Sequence, residues 1–162
     1  MSMDLNDLAA LTFRIARRQA DYARCIDDDR LEEWPAFFSE DCIYRVTTAD
    51  NHRDGMEAGV IFANSRGMLQ DRISALREAN VYEKQSYRHV LGMPSVIGRE
   101  GEGVRCETSF MVARIMRDGS TSLFATGRYL DVYAMDAPEP LLKQRLVVCD
   151  SSRVDTLMAI PL

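Results

Sequence analysis

The sequence predicts an α+β fold in which N-terminal helices pack on a strongly curved, mainly antiparallel sheet. Two observations carry that prediction. Apolar residues recur at three- and four-residue steps only in the first half of the chain, and after Glu83 long alternating segments take over. Helices first and a strand meander after is the α+β order. No repeat, low-complexity tract or linker divides the 162 residues, so a single domain spanning 1–162 is expected.

Leu5, Leu8, Thr12, Ile15, Gln19, Tyr22 and Ile26 form one stripe on a long first helix, with Asp4 placed to cap it. The segment "EEWPAFFSED" follows as a short helix or turn, with Pro35 in a first helical turn and Trp34, Phe37 and Phe38 facing inward as core anchors. "CIYRVTTAD" (42–50) alternates and is β-branched, hence a strand; "NHRDG" (51–55) is a turn and "MEAGVIFA" (56–63) a returning strand. Asn64 or Ser65 caps a helix through "SRGMLQDRISALREAN", burying Met68, Leu69, Ile73 and Leu76. Strands are expected at 86–98, 103–117, 121–135 and 142–150, with turns at "GREGEG" and "RDGS".

Within "SFMVARIM", one face carries Phe110, Val112, Arg114 and Met116, and the other Met111, Ala113 and Ile115. A single-layer antiparallel sheet should show water a polar second face. Either the sheet curls around a pocket or a second subunit covers its outside. The apolar tail "DTLMAIPL" is expected to be docked in its own core or a neighbour's, because a free tail of that composition would expose its side chains.

Composition narrows the function classes. Apolar residues make up 46% and charged residues 28%, and the net charge of −5 argues against a nucleic-acid partner. No apolar run approaches a membrane span and "MSMDLNDLAA" lacks a signal-peptide layout, so a cytoplasmic location is expected. Only Lys84 and Lys143 among the 20 basic residues are lysines; interfaces favour Arg over Lys, and Arg-rich codon usage gives the same bias. Cys25, Cys42, Cys106 and Cys149 have no short spacing and read as small core residues.

The residues offer little chemistry. Asp27, Asp28, Asp29, Glu32, Glu33, Glu40 and Asp41 crowd one segment, but no Gly lies between Arg24 and Val46 and the carboxylates do not alternate as a calcium loop requires. They are expected to form a mostly solvated loop with one or two acids satisfied by backbone N–H or Arg. His52 and His89 lie 37 positions apart (89 − 52), with no Cys two or three positions before either, so neither a Rieske set nor a two-histidine iron site is expected. No nucleophile elbow or phosphate loop occurs. No catalytic, cofactor-binding or metal-binding residue is therefore assigned. A stand-alone cone enzyme, such as an isomerase, dehydratase or hydrolase, stays open through a buried base among Asp41, Asp131 and His89, with Tyr44 or Tyr129 as proton donors. A small-ligand-binding cone is the other alternative.

"YARCIDDDRLEEWPAFFSEDCIYRV", "SRGMLQDRISALREANVYEKQSYRHVLGMPSV" and "VVCDSSRVDTLMAIPL" together resemble the small (beta) subunit of aromatic-ring-hydroxylating dioxygenases, over about residues 10 to 162. The resemblance implies a cystatin-like cone, also called nuclear-transport-factor-2-like. It implies a structural subunit that trimerises and joins three iron-bearing alpha subunits. Those would hold a Rieske [2Fe–2S] cluster and a mononuclear iron, fed with NAD(P)H electrons through a reductase. The implied reaction is cis-dihydroxylation of a terephthalate-like aromatic carboxylic acid with O2, or monohydroxylation in one branch. Arg66, Arg72 and Arg77 from the middle helix and Tyr87, Arg88 and His89 from the next strand are the expected interface contacts.

Overall fold

The computed structural model describes residues 3–56, 59–79, 84–153 and 160–162. Helix α1 spans Leu5–Asp27 and a 3-10 helix follows at Leu31–Phe37. Strand β1 is Phe38–Thr48, α2 Ala49–Arg53, β2 Ile61–Ala63 and α3 Arg66–Ala79. Strands β3 (Gln85–Leu91), β4 (Ser95–Glu100), β5 (Gly103–Met116), β6 (Thr121–Ala134) and β7 (Leu141–Cys149) complete the order. The sheet runs β2-β1-β7-β6-β5-β3, with β4 also paired to β5. All pairings are antiparallel except β1 with β7, which is parallel.

Helix α1 buries Ile15, Gln19, Tyr22 and Ile26, the C-terminal part of the expected stripe, while Leu5 at its start stands in solvent. Asp4 occupies the N-cap position but its side chain makes no capping bond. At the other end Asp29 takes φ +59, the left-handed conformation that Asp tolerates better than most residues. The Arg30 N–H then reaches the Cys25 carbonyl at 2.9 Å and the Asp29 N–H the Ile26 carbonyl at 3.0 Å. This is a Schellman stop, and it satisfies carbonyls that the helix end would leave orphaned.

Several boundaries differ from the sequence expectations. Strand β1 begins at Phe38, directly after the 3-10 helix, because Glu40 and Asp41 sit on its exposed portion. Residues 49–53 form a short helix in place of a turn: the Thr48 hydroxyl accepts from the Asn51 N–H at 3.2 Å and starts it. The returning strand is limited to Ile61–Ala63, with residues 57 and 58 outside the described residues. The expected strand 86–98 breaks at Gly92–Met93–Pro94 into β3 and β4, since Pro94 has no N–H to give a ladder. The Ser65 hydroxyl caps α3 by accepting from the Met68 N–H at 3.1 Å, and Met68 itself is exposed. Asn80 of that helix and 155–159 of the tail lie outside the described residues.

The core fills the concave face of the sheet. Trp34, Phe38 and Tyr44 pack edge to face at 5.2–5.8 Å between ring centres, and α3 adds Leu69, Ile73 and Leu76. Arg145 lies at the centre. It pairs in register with Tyr44 of β1 and Asp131 of β6, and Asp131 pairs with Cys106 of β5. Its Nε and Nη2 donate to the two Asp131 carboxylate oxygens at 2.9 and 2.7 Å, and its guanidinium lies 4.3 Å from the Tyr22 ring centre and 3.8 Å from that of Tyr129. Both side chains are fully buried. Gln19 of α1 donates from Nε2 to the Thr108 hydroxyl at 2.9 Å and to Asp131 Oδ2 at 3.5 Å, so the helix is bonded to the same rung.

Strands β6 and β7 meet closely at Gly127. A Cβ placed there would fall 2.1 Å from the Val148 carbonyl oxygen and 3.0 Å from the Cys149 Cα, both backbone atoms that cannot swing away. Gly127→Ala is expected to lower unfolding free energy by about 1–3 kcal/mol in urea titrations, the usual penalty for overpacking. Asp131→Asn leaves Arg145 buried without its counter-charge and is expected to cost about 3–5 kcal/mol. Asp41→Asn, on an exposed residue, should stay within about 0.5 kcal/mol of the parent in the same titration.

Candidate functional site: a closed interior and an open outer face

Alternation along the strands divides the chain into two surfaces with different capacities. Inward on β3 stand Tyr87 and His89, both buried. The His89 N–H donates to Asp27 Oδ2 at 2.9 Å, and His89 Nδ1 lies 2.7 Å from Asp27 Oδ1. One carboxylate at the end of α1 thus holds both the backbone and the ring of the neighbouring strand. The acidic segment is more engaged than a mostly solvated loop with one or two satisfied acids: Asp27 ends α1 and accepts from a backbone N–H, Glu33 accepts from Arg30 at 3.0 Å, Glu40 and Asp41 lie on β1, and Asp29 and Glu32 are bound by Arg77. Arg77 Nη1 reaches both Asp29 oxygens at 3.0 and 3.1 Å, Nη2 the Asp29 carbonyl at 2.8 Å, and Nε the Glu32 carboxylate at 2.7 Å. The two carboxylates raise the Arg77 pKa, with the Glu32 hydrogen bond leading.

The other expected contact residues are placed as follows. Arg66 donates from Nε at 3.0 Å, and also from Nη2, to the Phe38 carbonyl. Arg72 is half-buried on α3, beside the Tyr44 phenol. Arg88 points away from the core and is exposed. The structure therefore does not gather the six into one patch: Tyr87 and His89 face the interior, Arg66 and Arg77 brace α3 against the 3-10 helix and β1, and Arg88 stands on the outer sheet face.

The candidate bases of the cone-enzyme alternative are also separated. Asp41 is exposed, and Asp131 is bound by Arg145 and Gln19. Burial pushes the Asp131 carboxyl up, and the Arg145 guanidinium opposes that rise. Burial likewise holds the phenols of Tyr44 and Tyr129 well above their ordinary value, so they stay protonated donors. All four cysteines are buried free thiols. Burial pushes Cys25, Cys106 and Cys149 up to about 11 and raises Cys42, so as free groups they stay protonated near neutral pH.

This donor set does not fit an iron centre. His52 stands on α2 while His89 is inside β3 against Asp27, and the thiols are dispersed. Among the described residues no three His, Cys, Asp or Glu side chains come together as a metal group.

The outer face carries different residues. Ile43 and Arg45 of β1, Gln144 and Leu146 of β7, Leu130 and Val132 of β6, and Arg105 and Glu107 of β5 are joined rung by rung. Beyond them Val90 pairs with Met111, which also pairs with Thr126. Val90 is 59% exposed, Met111 47% and Leu123 62%. Phe62 is exposed at the β2 edge, with the Arg45 guanidinium 5.0 Å from its ring centre. A hollow of about 420 Å3 on this side is lined by Ile97, Arg105, Glu107, Leu130 and Leu146 among others. Of the two explanations for a two-sided apolar sheet, the inner face is filled by the chain's own helices and the outer one is left uncovered. Sequence alternation gave a signal for this face in Met111 and Ala113, while Val90 and Leu123 were missed because neither strand was assigned a face.

Comparison with known proteins places this geometry. A family model described as the ring hydroxylating beta subunit matches residues 21–156. The chain is 50% identical over 149 residues to subunit beta 1 of the terminal oxygenase component of terephthalate 1,2-dioxygenase from Comamonas sp., covering 92% of this chain and 97% of that one. It is 35% identical over 151 residues to the anthranilate 1,2-dioxygenase small subunit of Burkholderia cepacia, covering 93% of each. A crystal structure of the beta subunit assigned to an aromatic-ring-hydroxylating dioxygenase of Novosphingobium aromaticivorans superposes with a TM-score of 0.87 at 37% identity, over 95% of this chain and 98% of that one. The family match over residues 21–156 and the identities over more than nine-tenths of the chain show that the chain belongs to the family of ring-hydroxylating dioxygenase beta subunits.

Proposed function

We propose that this chain, as one domain over residues 1–162, is the structural beta subunit of a cytoplasmic dioxygenase acting on a terephthalate-like aromatic carboxylic acid. Three copies associate with one another and with three alpha subunits. The alpha subunits hold the Rieske cluster and the mononuclear iron, and a reductase passes them electrons from NAD(P)H. Both oxygens of O2 add across a ring double bond with two electrons and two protons, giving a cis-dihydrodiol. The iron centres supply the oxygen chemistry; this chain's residues supply a rigid support.

The observation that carries this reading is the uncovered outer face. Obligate partners bury apolar surface of this kind, and Arg among it suits an interface better than Lys does. The 50% identity to a terephthalate dioxygenase beta subunit supports the aromatic-acid substrate class. Arg66, Arg72 and Arg77 of α3 are proposed as contacts on the helix side of the sheet, away from this surface, while Arg88 is proposed as a contact on it. Tyr87 and His89 act one step behind it, by fixing the strand that carries Arg88 and Val90.

Purified with an alpha subunit and reductase, the chain should support dihydroxylation, and alone it should turn over no aromatic acid. Turnover by the isolated chain overturns the reading in favour of a cone enzyme. Val90→Asp with Met111→Asp should weaken association with the alpha subunit or with itself by at least about tenfold in analytical ultracentrifugation, since each buries an unpaired charge. The melting temperature of the free subunit should change little, because both residues are exposed in it. Unaltered association removes this face from the interface.

A further inference from the structure

The interior of the cone contains a seat for a short apolar segment, and residues Ile160, Pro161 and Leu162 occupy it. All three are buried, and Leu162 is 0% exposed. Two phenols read its main chain. The Tyr22 hydroxyl donates to the Leu162 carbonyl oxygen at 2.8 Å and the Tyr44 hydroxyl donates to the same oxygen at 3.1 Å. The Leu162 N–H in turn donates to the Tyr44 oxygen at 3.2 Å. One hydroxyl therefore serves both the donor and the acceptor of a single residue. Pro161 brings no N–H into this apolar space, which spares the interior a donor it would have to satisfy.

The seat is built by elements far from the segment in sequence. Tyr22 comes from α1, and Tyr44 from β1. Tyr44 packs edge to face on Trp34 and Phe38, and Tyr22 on Phe37 and Phe38, so both phenols are held by rings rather than by the segment they bond. Burial keeps both hydroxyls protonated, so their donor capacity persists across ordinary pH. The contacts ask for little: an aliphatic side chain, a carbonyl and an N–H. Nothing in them is specific to a covalently attached segment.

We propose that this interior seat is a recognition site for extended aliphatic peptide, filled here by the chain's own Ile160–Leu162 as a tethered ligand. Its ligand class is a short apolar peptide presenting a branched aliphatic residue with free main-chain N–H and C=O. The site is independent of which partner covers the outer face.

The intact chain gives the first test. Tyr44→Phe removes both bonds to the Leu162 main chain that pass through this hydroxyl while keeping the ring. Exchange of the Leu162 amide hydrogen, followed by NMR, should quicken by about tenfold or more. The fluorescence maximum of Trp34, the sole tryptophan, should stay in place. Unchanged exchange at that amide overturns the proposal. The second test uses a variant lacking Ile160–Leu162 and the probe acetyl-Ile-Pro-Leu. The probe should bind saturably by Trp34 fluorescence and raise the melting temperature, and acetyl-Asp-Pro-Asp should do neither. A folded shortened variant that ignores the aliphatic probe, or that melts at the parent temperature without it, overturns the proposal. If the variant folds only when the aliphatic probe is present during refolding, the site is supported; if neither probe rescues it, the proposal falls.

Discussion

The bidentate bond between Arg145 and Asp131 sets the terms for everything packed around it. A guanidinium and a carboxylate taken fully out of water cost several kcal/mol each in hydration, and only close geometry with every remaining group engaged offsets that loss. The chain meets most of this requirement by placing the two residues opposite one another on neighbouring strands, giving Nη2 a second acceptor in the Tyr133 hydroxyl at 3.3 Å and laying the rings of Tyr22 and Tyr129 over the cation, while Nη1 is left with no hydrogen-bond partner among the described residues. Gln19 adds a bond from the helix. A one-residue slip of β6 against β7 would carry Asp131 to the outer face and leave Arg145 unpaired inside. The pair therefore specifies register more than it adds net stability.

Fixed register has consequences on both sides of the sheet. Inside, it places Tyr44 and Tyr129 where their rings close the core, and burial then keeps phenols and thiols alike protonated. A cone lined this way can hold apolar matter but offers neither a thiolate nor a free carboxylate. Outside, the same alternation gathers Leu130, Leu146, Met111 and Val90 on one surface, with Arg128 and Glu107 paired at 3.0 Å among them.

Much of this was legible in the residues, and the exceptions have physical causes. The stripe Ile15, Gln19, Tyr22 and Ile26 identified α1 because helical period is a local property. Trp34, Phe37 and Phe38 were recognisable as core by size alone, whereas alternation put Phe110 and Val112 on one face of β5 without showing that this face is the buried one. The start of β1 was obscured because Ser39, Glu40 and Asp41 have loop chemistry while taking strand geometry next to β7. The parallel joining of β1 to β7 could not be read, since pairing partners a hundred residues apart leave no mark in either strand. Tyr129, Asp131 and Tyr133 did carry a signal: an acid flanked by aromatics at every second position of a strand calls for a buried cation. The Asp27–His89 bond was hidden for a different reason, because an acid beside two others looks solvated whichever one turns inward.

That parallel joining also governs the order in which the molecule can be made. Strand β7 lies between β1 and β6, so the sheet stays in two pieces until the last strand has been synthesised. The early segment through α3 must wait, its aromatic ridge unshielded, while the β3–β6 meander forms from nearby partners. Residues 141–149 then zip the halves together. The outer-face rungs that Leu130 shares with Leu146 and Val132 with Gln144 cannot form before that joining, whereas the Val90–Met111 rung of the meander can.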